Sequence, residues 1–259
     1  MTEIDRIEIT TFAERPSLID HAYDIAEDWP TFTSHDLAAN ALLHQVVREF
    51  PEYCVVATDG DRVVARGLSV PFNTVLQGRE EMPDQGWDRV LVWAFHDRRK
   101  KNPATMASAL EITIDLDYLG RGLSHRMVAA LRAAVGRQGH AVLLAPVRPN
   151  AKHREPSLPM DAYLRRVRPD GLPEDPWLRV HVKAGATIEK VAPASMTVSG
   201  SLAQWRRWTG LPFDRDGLVE VDGALVPVWC DTEHDRAVYV EPNVWVRHST
   251  SDPASAGGV

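Results

Sequence analysis

Cysteine is scarce in this sequence, which has only Cys54 and Cys230 among 259 residues, each with apolar neighbours. Two cysteines so far apart cannot form a disulfide framework, and they lack the spacing of a zinc site. We therefore expect two buried free thiols and no bound metal. The patterns His-Glu-x-x-His and Gly-x-Ser-x-Gly are also missing, so the sequence lacks the signatures of zinc peptidases and of serine hydrolases with a nucleophile elbow.

Positive charge is not in excess, because the net charge is −7 at pH 7. This balance argues against a general nucleic-acid-binding protein. No apolar run reaches the roughly 20 residues that a membrane-spanning helix needs, and the N-terminal residues do not resemble a secretory signal. The sequence therefore predicts a cytoplasmic protein that has neither a nucleic acid nor a membrane as its partner.

The chain is long enough to bury a large core, and its hydrophobic content of 44% is typical of a globular protein. We expect one elaborated domain over residues 1–248, with its core at about 53–198 and a C-terminal extension at 199–248. The last residues, 249–259, are small, polar and rich in glycine, which predicts a disordered tail.

Hydrophobic periodicity and turn residues predict the order of the elements. Helices are expected at 17–28, 34–50, 87–99, 123–138, 175–184 and 202–208. Strands are expected at 4–11, 53–58, 62–70, 109–116, 140–147, 186–198, 219–222, 224–230 and 238–247. Ser34 is expected to cap its helix, and Leu37 to belong to that helix's apolar stripe. Because helices alternate with strands only in the middle, we predict an α/β chain with a mixed sheet.

The stretch 109–147 is the one around which the chain is organised. A strand leads into a turn containing Gly120 and Gly122, and the turn opens an amphipathic helix that is followed by a short apolar strand. Glycines allow the backbone to approach a ligand closely, and the free N–H groups at the start of a helix point toward it. The pattern therefore predicts an anion-binding site.

The residues Asp117-Tyr118-Leu119-Gly120-Arg121-Gly122 follow the signature R/Q-x-x-G-x-G/A, except at its first position. In this turn, and in the order of elements over 53–198, the sequence resembles the GNAT superfamily of acyl-CoA-dependent N-acyltransferases. His181 also keeps the spacing to Gly185 of the family's Tyr-x-x-x-Gly motif. The resemblance implies an α/β (mixed α+β) fold with a central, mostly antiparallel sheet flanked by helices.

The resemblance further implies that an amine attacks the thioester carbonyl of acetyl-CoA or another acyl-CoA, without a metal. Main-chain N–H groups would hold the pyrophosphate, so Asp117 and Leu119, which differ from the usual family residues, do not abolish binding. The expected partners are the acyl-CoA and a small-molecule amine, and a homodimer is left open. The residues expected to bind acyl-CoA are Leu119, Gly120, Arg121, Gly122, Leu123, Ser124 and Asn150.

Three residues are the candidates for catalysis. Glu111, on the central strand, would act as the base for the amine, either directly or through water. The backbone N–H of Ile114, or of a neighbour, would polarise the thioester carbonyl. His181 would protonate the leaving thiolate, with Tyr163 or Tyr118 as the alternatives.

Two other functions remain open from the sequence. A histidine at position 181, where the family has tyrosine, is compatible with a decarboxylase of the same fold. The departures at Asp117 and Leu119 are compatible with a non-catalytic acyl-CoA-binding protein. The segments 73–105, 152–176 and 205–248 are expected to wall a closed acceptor pocket.

Overall fold

The computed structural model describes residues 6–251. Strands of this part of the chain form one sheet, in the order β1-β2-β3-β4-β5-β9-β8-β7, and β6 pairs with β9. All neighbours are antiparallel except β4 and β5. The strands are β1 Glu8–Thr11, β2 Val55–Asp59, β3 Arg62–Phe72, β4 Met106–Ile114, β5 Val142–Val147, β6 Thr187–Gly200, β7 Gly217–Val219, β8 Val228–Asp231 and β9 Arg236–Ser249.

Helices cover the sheet, as the predicted fold class requires. None of the helices in residues 6–251 combines the length and the apolar character needed to cross a bilayer. The helices are α1 Leu37–Leu42, α2 Val46–Glu49, α3 Gly86–Lys100, α4 Leu123–Arg137, α5 Met160–Leu164, α6 Pro176–Lys183 and α7 Leu202–Thr209. Short 3-10 helices lie at Pro16–His21, Thr31–His35, Leu43–Gln45, Pro51–Tyr53, Leu116–Tyr118 and Lys152–Arg154.

The parallel strands β4 and β5 separate soon after they meet. They are paired only at Ala107 with Leu143 and at Ser108 with Leu144. On its other edge β4 pairs with β3 along its length, with a register shift opposite Leu68 and Ser69. The backbone of β4 beyond Ser108 therefore has no ladder partner on the β5 side, and a cleft opens there.

Elements with strong local signals lie where the sequence predicts them. The hairpin β2–β3 turns at Gly60, and the helices α3, α4 and α7 begin and end within two residues of their predicted limits. Asp175 caps α6 by accepting from the N–H groups of Trp177 and Leu178 at 2.9 and 3.0 Å. Capping and turn residues act over a few positions, so these features can be recovered from the sequence.

The predicted N-terminal helices are wrong in extent. The segment 17–28 forms only the 3-10 helix Pro16–His21, and 34–50 is divided into α1, a 3-10 turn and α2. None of the residues of α1 is fully buried, although Ala38, Ala39 and Leu42 pack partly against the core. Part of this region lines the cavity described below.

The cap and the stripe of the second predicted helix are also wrong. Asp36, rather than Ser34, caps α1, and its Oδ1 accepts from the N–H of Ala39 at 2.8 Å. Leu37 is 77% exposed rather than part of an apolar stripe. Asp and Ser are both good caps, so the spacing of residues alone did not distinguish them.

The C-terminal part of the chain supplies a central strand. β9 lies in the segment predicted as an extension, yet it pairs with β5, β6 and β8. The predicted hairpin around Gly223 is displaced, because β7 and β8 are joined by the longer loop 220–227. Residues 4 and 5 of the predicted first strand and residues 252–259 of the predicted tail lie outside the described part of the chain.

The main core lies where β2, β3 and β4 pack against α3 and α4. This core contains the fully buried Leu68 of β3, Leu91 of α3 and Leu131 of α4. Cys54 lies in the same cluster and Cys230 in a second one, each as a free thiol, as predicted. Burial raises the pKa of the Cys54 thiol to about 12, so this thiol is unreactive at neutral pH.

Candidate active site

A cavity of about 1070 Å³ opens where β4 and β5 separate. One end is lined by the glycine turn, the start of α4 and one face of α6. Other parts of the wall come from the N-terminal segment, β3, β4, β5 with the segment after it, the loop 220–227 and β9. A cavity of this size at the centre of the sheet is large enough for two reactants.

The glycine turn has the open backbone that an anion site requires. Gly120 and Gly122 have φ values of +74° and +82°, and a Cβ at either position would meet nothing within 4 Å. Gly122 directly precedes the first turn of α4, whose free N–H groups are available to an anion. Of the predicted binding residues, the structure places Leu119, Gly120, Gly122, Leu123, Ser124 and Asn150 in the cavity wall.

Arg121 is the predicted binding residue that does not line the cavity. Its guanidinium lies 5.1 Å from the centre of the Tyr118 ring. The two acidic residues before the turn share one cation, Arg62, whose Nη2 lies 2.8 Å from Asp115 Oδ2 and 3.1 Å from Asp117 Oδ2 and offsets one of their two negative charges. This pairing limits the repulsion that Asp117 would exert on an anion at the turn.

The backbone of β4 directs N–H groups toward the cleft. The N–H of Asp115 donates to the carbonyl oxygen of Val64 in β3, one residue before the part of β3 that pairs with β4. Because N–H directions alternate along a strand, those of Ile114 and Ile112 point to the opposite edge. Both residues line the cavity, so either N–H is oriented to polarise a carbonyl.

Glu111 lines the cavity, but its carboxylate is held by an arginine. Nε of Arg66 donates to Oε1 of Glu111 at 2.6 Å, and Nη2 donates to Glu27 at 2.9 Å. Burial lowers the pKa of Arg66, but Glu111 and Glu27 raise it by more, so the guanidinium stays charged. The arginine lies 4.5 Å from the ring centre of Tyr23.

His181 is placed by α6 in the cavity wall and is 5% exposed. Its Nδ1 lies 2.9 Å from Nε2 of His248 in β9, and its ring packs edge-on against Trp177. Burial and repulsion by His248 lower the pKa of His181 to about 3. The imidazole is therefore neutral near pH 7, which leaves it a donor or acceptor of hydrogen bonds rather than a strong acid.

The two tyrosine alternatives are engaged elsewhere. The hydroxyl of Tyr163 donates to Asp175 at 2.8 Å, and Tyr163 is not in the cavity wall. The hydroxyl of Tyr118 donates to Asp59 at 2.8 Å. Tyr118 does line the cavity, but its hydroxyl is directed to the β2–β3 turn.

The structure reveals an acidic wall that the sequence did not indicate. We use this name for the carboxylates lining the cavity: Glu27, Asp28, Glu111, Asp222 and Glu241. Within residues 6–251, the guanidinium groups that line it with them are those of Arg66 and Arg148. Negative charge is therefore in excess on the wall, and it comes from four separate parts of the chain.

Glu241 is the deepest member of the acidic wall and is fully buried. It accepts from Nε of Arg148 at 2.9 Å, from the hydroxyl of Tyr239 at 2.6 Å and from the amide of Asn243 at 2.9 Å. Burial lowers the pKa of Arg148, but Glu241 and Tyr239 raise it overall. This network holds the wall in one conformation.

The predicted walls contribute unequally. From 73–105 only Trp87 lines the cavity, because α3 packs on the sheet, and from 152–176 only His153 and Pro176 do. The N-terminal segment around Trp29 supplies more of the wall, and the predicted C-terminal wall contributes Asp222, Gly223, Glu241 and Asn243. The insertions are therefore mainly structural supports outside the cavity.

Comparisons with known proteins identify the family. No family model matches the chain. An arginine N-acetyltransferase of Aspergillus versicolor is 31% identical, and the alignment covers 93% of each protein. That identity over almost the full length shows a common family.

Solved structures share the fold at low sequence identity. The loading GNAT-like domain of CurA from Lyngbya majuscula has a TM-score of 0.56 and 13% identity over 94% of this chain and 98% of that one. A GNAT-like decarboxylase, GphF, in complex with isobutyryl-CoA has a TM-score of 0.54 and 15% identity over 95% and 100%. The chain belongs to the GNAT superfamily and is an acyl-CoA-dependent N-acyltransferase that transfers an acyl group to an amine.

Proposed function

We propose that this enzyme acetylates the α-amine of arginine, or of a small amine that carries a second positive charge in the same way. The observation that carries the proposal is the acidic wall, in which five carboxylates face two guanidinium groups. A cationic acceptor would be attracted to such a wall, whereas an anionic one would be repelled. The name of the relative from Aspergillus versicolor agrees with this choice.

The chemistry of arginine defines which nitrogen reacts. A guanidinium has a pKa above 12 and stays protonated, so it has no lone pair for attack on a thioester. An α-amine has a pKa well below that of a guanidinium, so it loses its proton to a base far more readily. We therefore assign the guanidinium to the acidic wall and the α-amine to the thioester carbon.

Each step of the reaction has a candidate group. The glycine turn binds the pyrophosphate through main-chain N–H groups, and the N–H of Ile114 or Ile112 polarises the acyl carbonyl. The ammonium first releases one proton to solvent. Glu111, whose Oε1 accepts from Arg66, then takes the second proton through a water molecule as the carbon–nitrogen bond forms. Carbon–nitrogen bond formation then breaks the carbon–sulfur bond, and the sulfur leaves as a thiolate.

His181 is assigned to the departing sulfur. Because the imidazole is neutral, it stabilises the thiolate by donating a hydrogen bond from Nε2 and keeps its proton. A thiol with a pKa near 8.5 needs no strong acid to leave. A hydrogen bond to a charged group contributes about 1.5–3 kcal/mol, which corresponds to a rate effect of roughly tenfold to a hundredfold.

The acceptor is tested by comparing arginine with citrulline, in which a neutral urea group replaces the guanidinium at nearly the same shape. Release of CoA from acetyl-CoA is measured with each amine. We expect kcat/KM for arginine to exceed that for citrulline by at least about a hundredfold, since the desolvated charge would be lost. Equal rates with the two amines would refute the role of the acidic wall. Replacing acetyl-CoA by longer acyl-CoAs in the same assay tests the assignment of acetyl.

A further inference from the structure

His181 and His248 form a buried imidazole pair at the edge of the cavity. Nδ1 of His181 and Nε2 of His248 are 2.9 Å apart, and the two side chains are 5% and 1% exposed. His181 comes from α6 and His248 from β9, so the pair joins the helix beside the cavity to the central sheet. Neither the family signature nor its spacing involves residue 248.

The other nitrogen of each ring has no hydrogen-bond partner among the described residues. These atoms are Nε2 of His181 and Nδ1 of His248, and both are buried. Buried polar atoms without a partner are rare in folded proteins and require an explanation. Because His181 lines the cavity, a reacting group bound there would supply the partner that its Nε2 lacks.

Each ring is neutral and carries one N–H, and a single hydrogen lies in the hydrogen bond between the two rings. Burial and His248 lower the pKa of His181 to about 3, and burial and the positive charge of Arg132 lower that of His248 to about 4. With both rings neutral, only one of the two facing nitrogens carries hydrogen, and the other accepts. The ring that donates across the pair thereby determines whether Nε2 of His181 is an N–H or a lone pair.

Arg132 binds the segments that carry the two histidines. Its Nε donates to the carbonyl oxygen of Ser249, the residue after His248, and Nη1 donates to that of Ala184 at 2.9 Å. Its positive charge opposes protonation of His248, so one hydrogen is shared by the two facing nitrogens of the pair.

We infer that His248 is a positioning residue that keeps His181 in the tautomer needed for catalysis. Nε2–H of His248 donates to Nδ1 of His181, which places the hydrogen of His181 on Nε2. That N–H then donates to the sulfur as the carbon–sulfur bond breaks. The electron pair of that bond goes to sulfur, the amine proton goes to water and Glu111, and both histidines retain their protons.

This inference rests on the proposed role of His181, so the first measurement is independent of catalysis and of the acceptor. Histidine is labelled with ¹⁵N, and the ring nitrogen shifts of the two residues are assigned with His181→Gln and His248→Gln. We expect both rings to be neutral with hydrogen on Nε2 at pH 7, and a coupling between the two facing nitrogens. A spectrum in which Nε2 of His181 is unprotonated would overturn the inference.

The second measurement uses turnover with the best amine acceptor, whichever amine that is. We expect His248→Leu to lower kcat about tenfold while KM for the amine and Kd for acetyl-CoA stay within twofold. His248→Gln, whose amide can still donate to Nδ1, is expected to restore most of the lost rate. In the His181→Ala background, His248→Leu should have no further effect on kcat.

A matched control separates positioning from a general loss of structure. His140 makes one comparable ring contact, with its Nε2 3.1 Å from the hydroxyl of Tyr53, but it does not line the cavity. We expect His140→Leu to affect the melting temperature without lowering kcat. Equal losses of kcat in His248→Leu and His248→Gln, or additive losses with His181→Ala, would show that His248 acts only through packing.

Discussion

Arg66 and Glu111 are diagonal neighbours on β3 and β4, and Nε of the arginine donates to Oε1 of the carboxylate at 2.6 Å. The same guanidinium binds Glu27 and lies over the ring of Tyr23. One buried cation therefore connects the central strand to the N-terminal segment of the acidic wall. It also holds the carboxylate of the proposed base in a fixed position.

Glu111→Gln tests the base. We expect kcat to fall by about a hundredfold, the lower end of the range for lost general-base catalysis, with Kd for acetyl-CoA unchanged. Glu27→Gln is the matched control, since it removes a carboxylate from the same arginine at a more exposed site. Steady-state kinetics measure kcat, and calorimetry measures Kd for acetyl-CoA. If both variants reduce kcat equally, the effect comes from Arg66 and Glu111 is not the base.

Gly122→Ala tests the glycine turn. A left-handed residue other than glycine costs roughly 1–2 kcal/mol, and a Cβ at this position also occupies the open space of the turn. Gly139→Ala, beyond the C-terminal end of α4, is the control. Gly139 has a φ of +87°, similar to that of Gly122, and a Cβ there would also meet nothing within 4 Å. We expect similar losses of stability, but at least tenfold weaker binding of acetyl-CoA only for Gly122→Ala. Equal affinities would remove the turn from the binding site.

The histidine pair makes a prediction for acid pH. The pKa values of about 3 for His181 and about 4 for His248 lie below the usual value near 6.5. The unfolded chain therefore binds more protons than the folded one below pH 6.5. Stability is fully present above that pH and falls as pH decreases toward 4, by up to about 1.4 kcal/mol per pH unit for each histidine.

Urea unfolding at pH 7, 6, 5 and 4.5 measures this dependence. His248→Leu removes one of the two groups, so its stability should decline less steeply with acid than that of the wild type. His96→Asn, at an exposed histidine, should decline as the wild type does. The same slope in all three proteins would mean that the pair is not neutral in the folded state.

The pKa of Asp88 gives stability the opposite dependence on pH. Burial and the negative charge of Asp36 raise the pKa of Asp88 to about 8, and its Oδ1 has no partner in the described structure. The folded state therefore keeps a proton that the unfolded chain releases above about pH 4. This contribution to stability is fully present below that pH and is lost progressively as pH rises to and through 8.

Asp88→Asn keeps an acceptor for the N–H of Thr197, which now donates to Oδ2 of Asp88 at 3.1 Å, and removes the titrating group. We expect it to raise the melting temperature at pH 8.5 more than at pH 6, as measured by calorimetry. A uniform change at both pH values would show that Asp88 is already ionised in the folded protein.

Prediction from sequence was accurate where a few adjacent residues decide the structure. The glycine turn, the β2–β3 hairpin and the Asp175 cap depend on residues within a few positions of one another. It failed at 17–50, where short helices wrap the cavity and are held by distant contacts such as that of Arg66 with the carbonyl oxygen of Ala22. Helix propensity summed over a window of adjacent residues does not include such distant contacts.

The strand, the turn with Gly120 and Gly122, and the helix after it can be predicted from the order of residues alone, because glycine conformation and helix periodicity are local properties. What surrounds them depends on the folding of distant segments onto one another. Arg66 and Glu111 are 45 residues apart, His181 and His248 are 67 apart, and Arg148 and Glu241 are 93 apart. Contacts over such separations leave no periodic signal in one sequence, since they are made by the pairing of β3 with β4, of β5 with β9, and by the packing of α6 on the sheet.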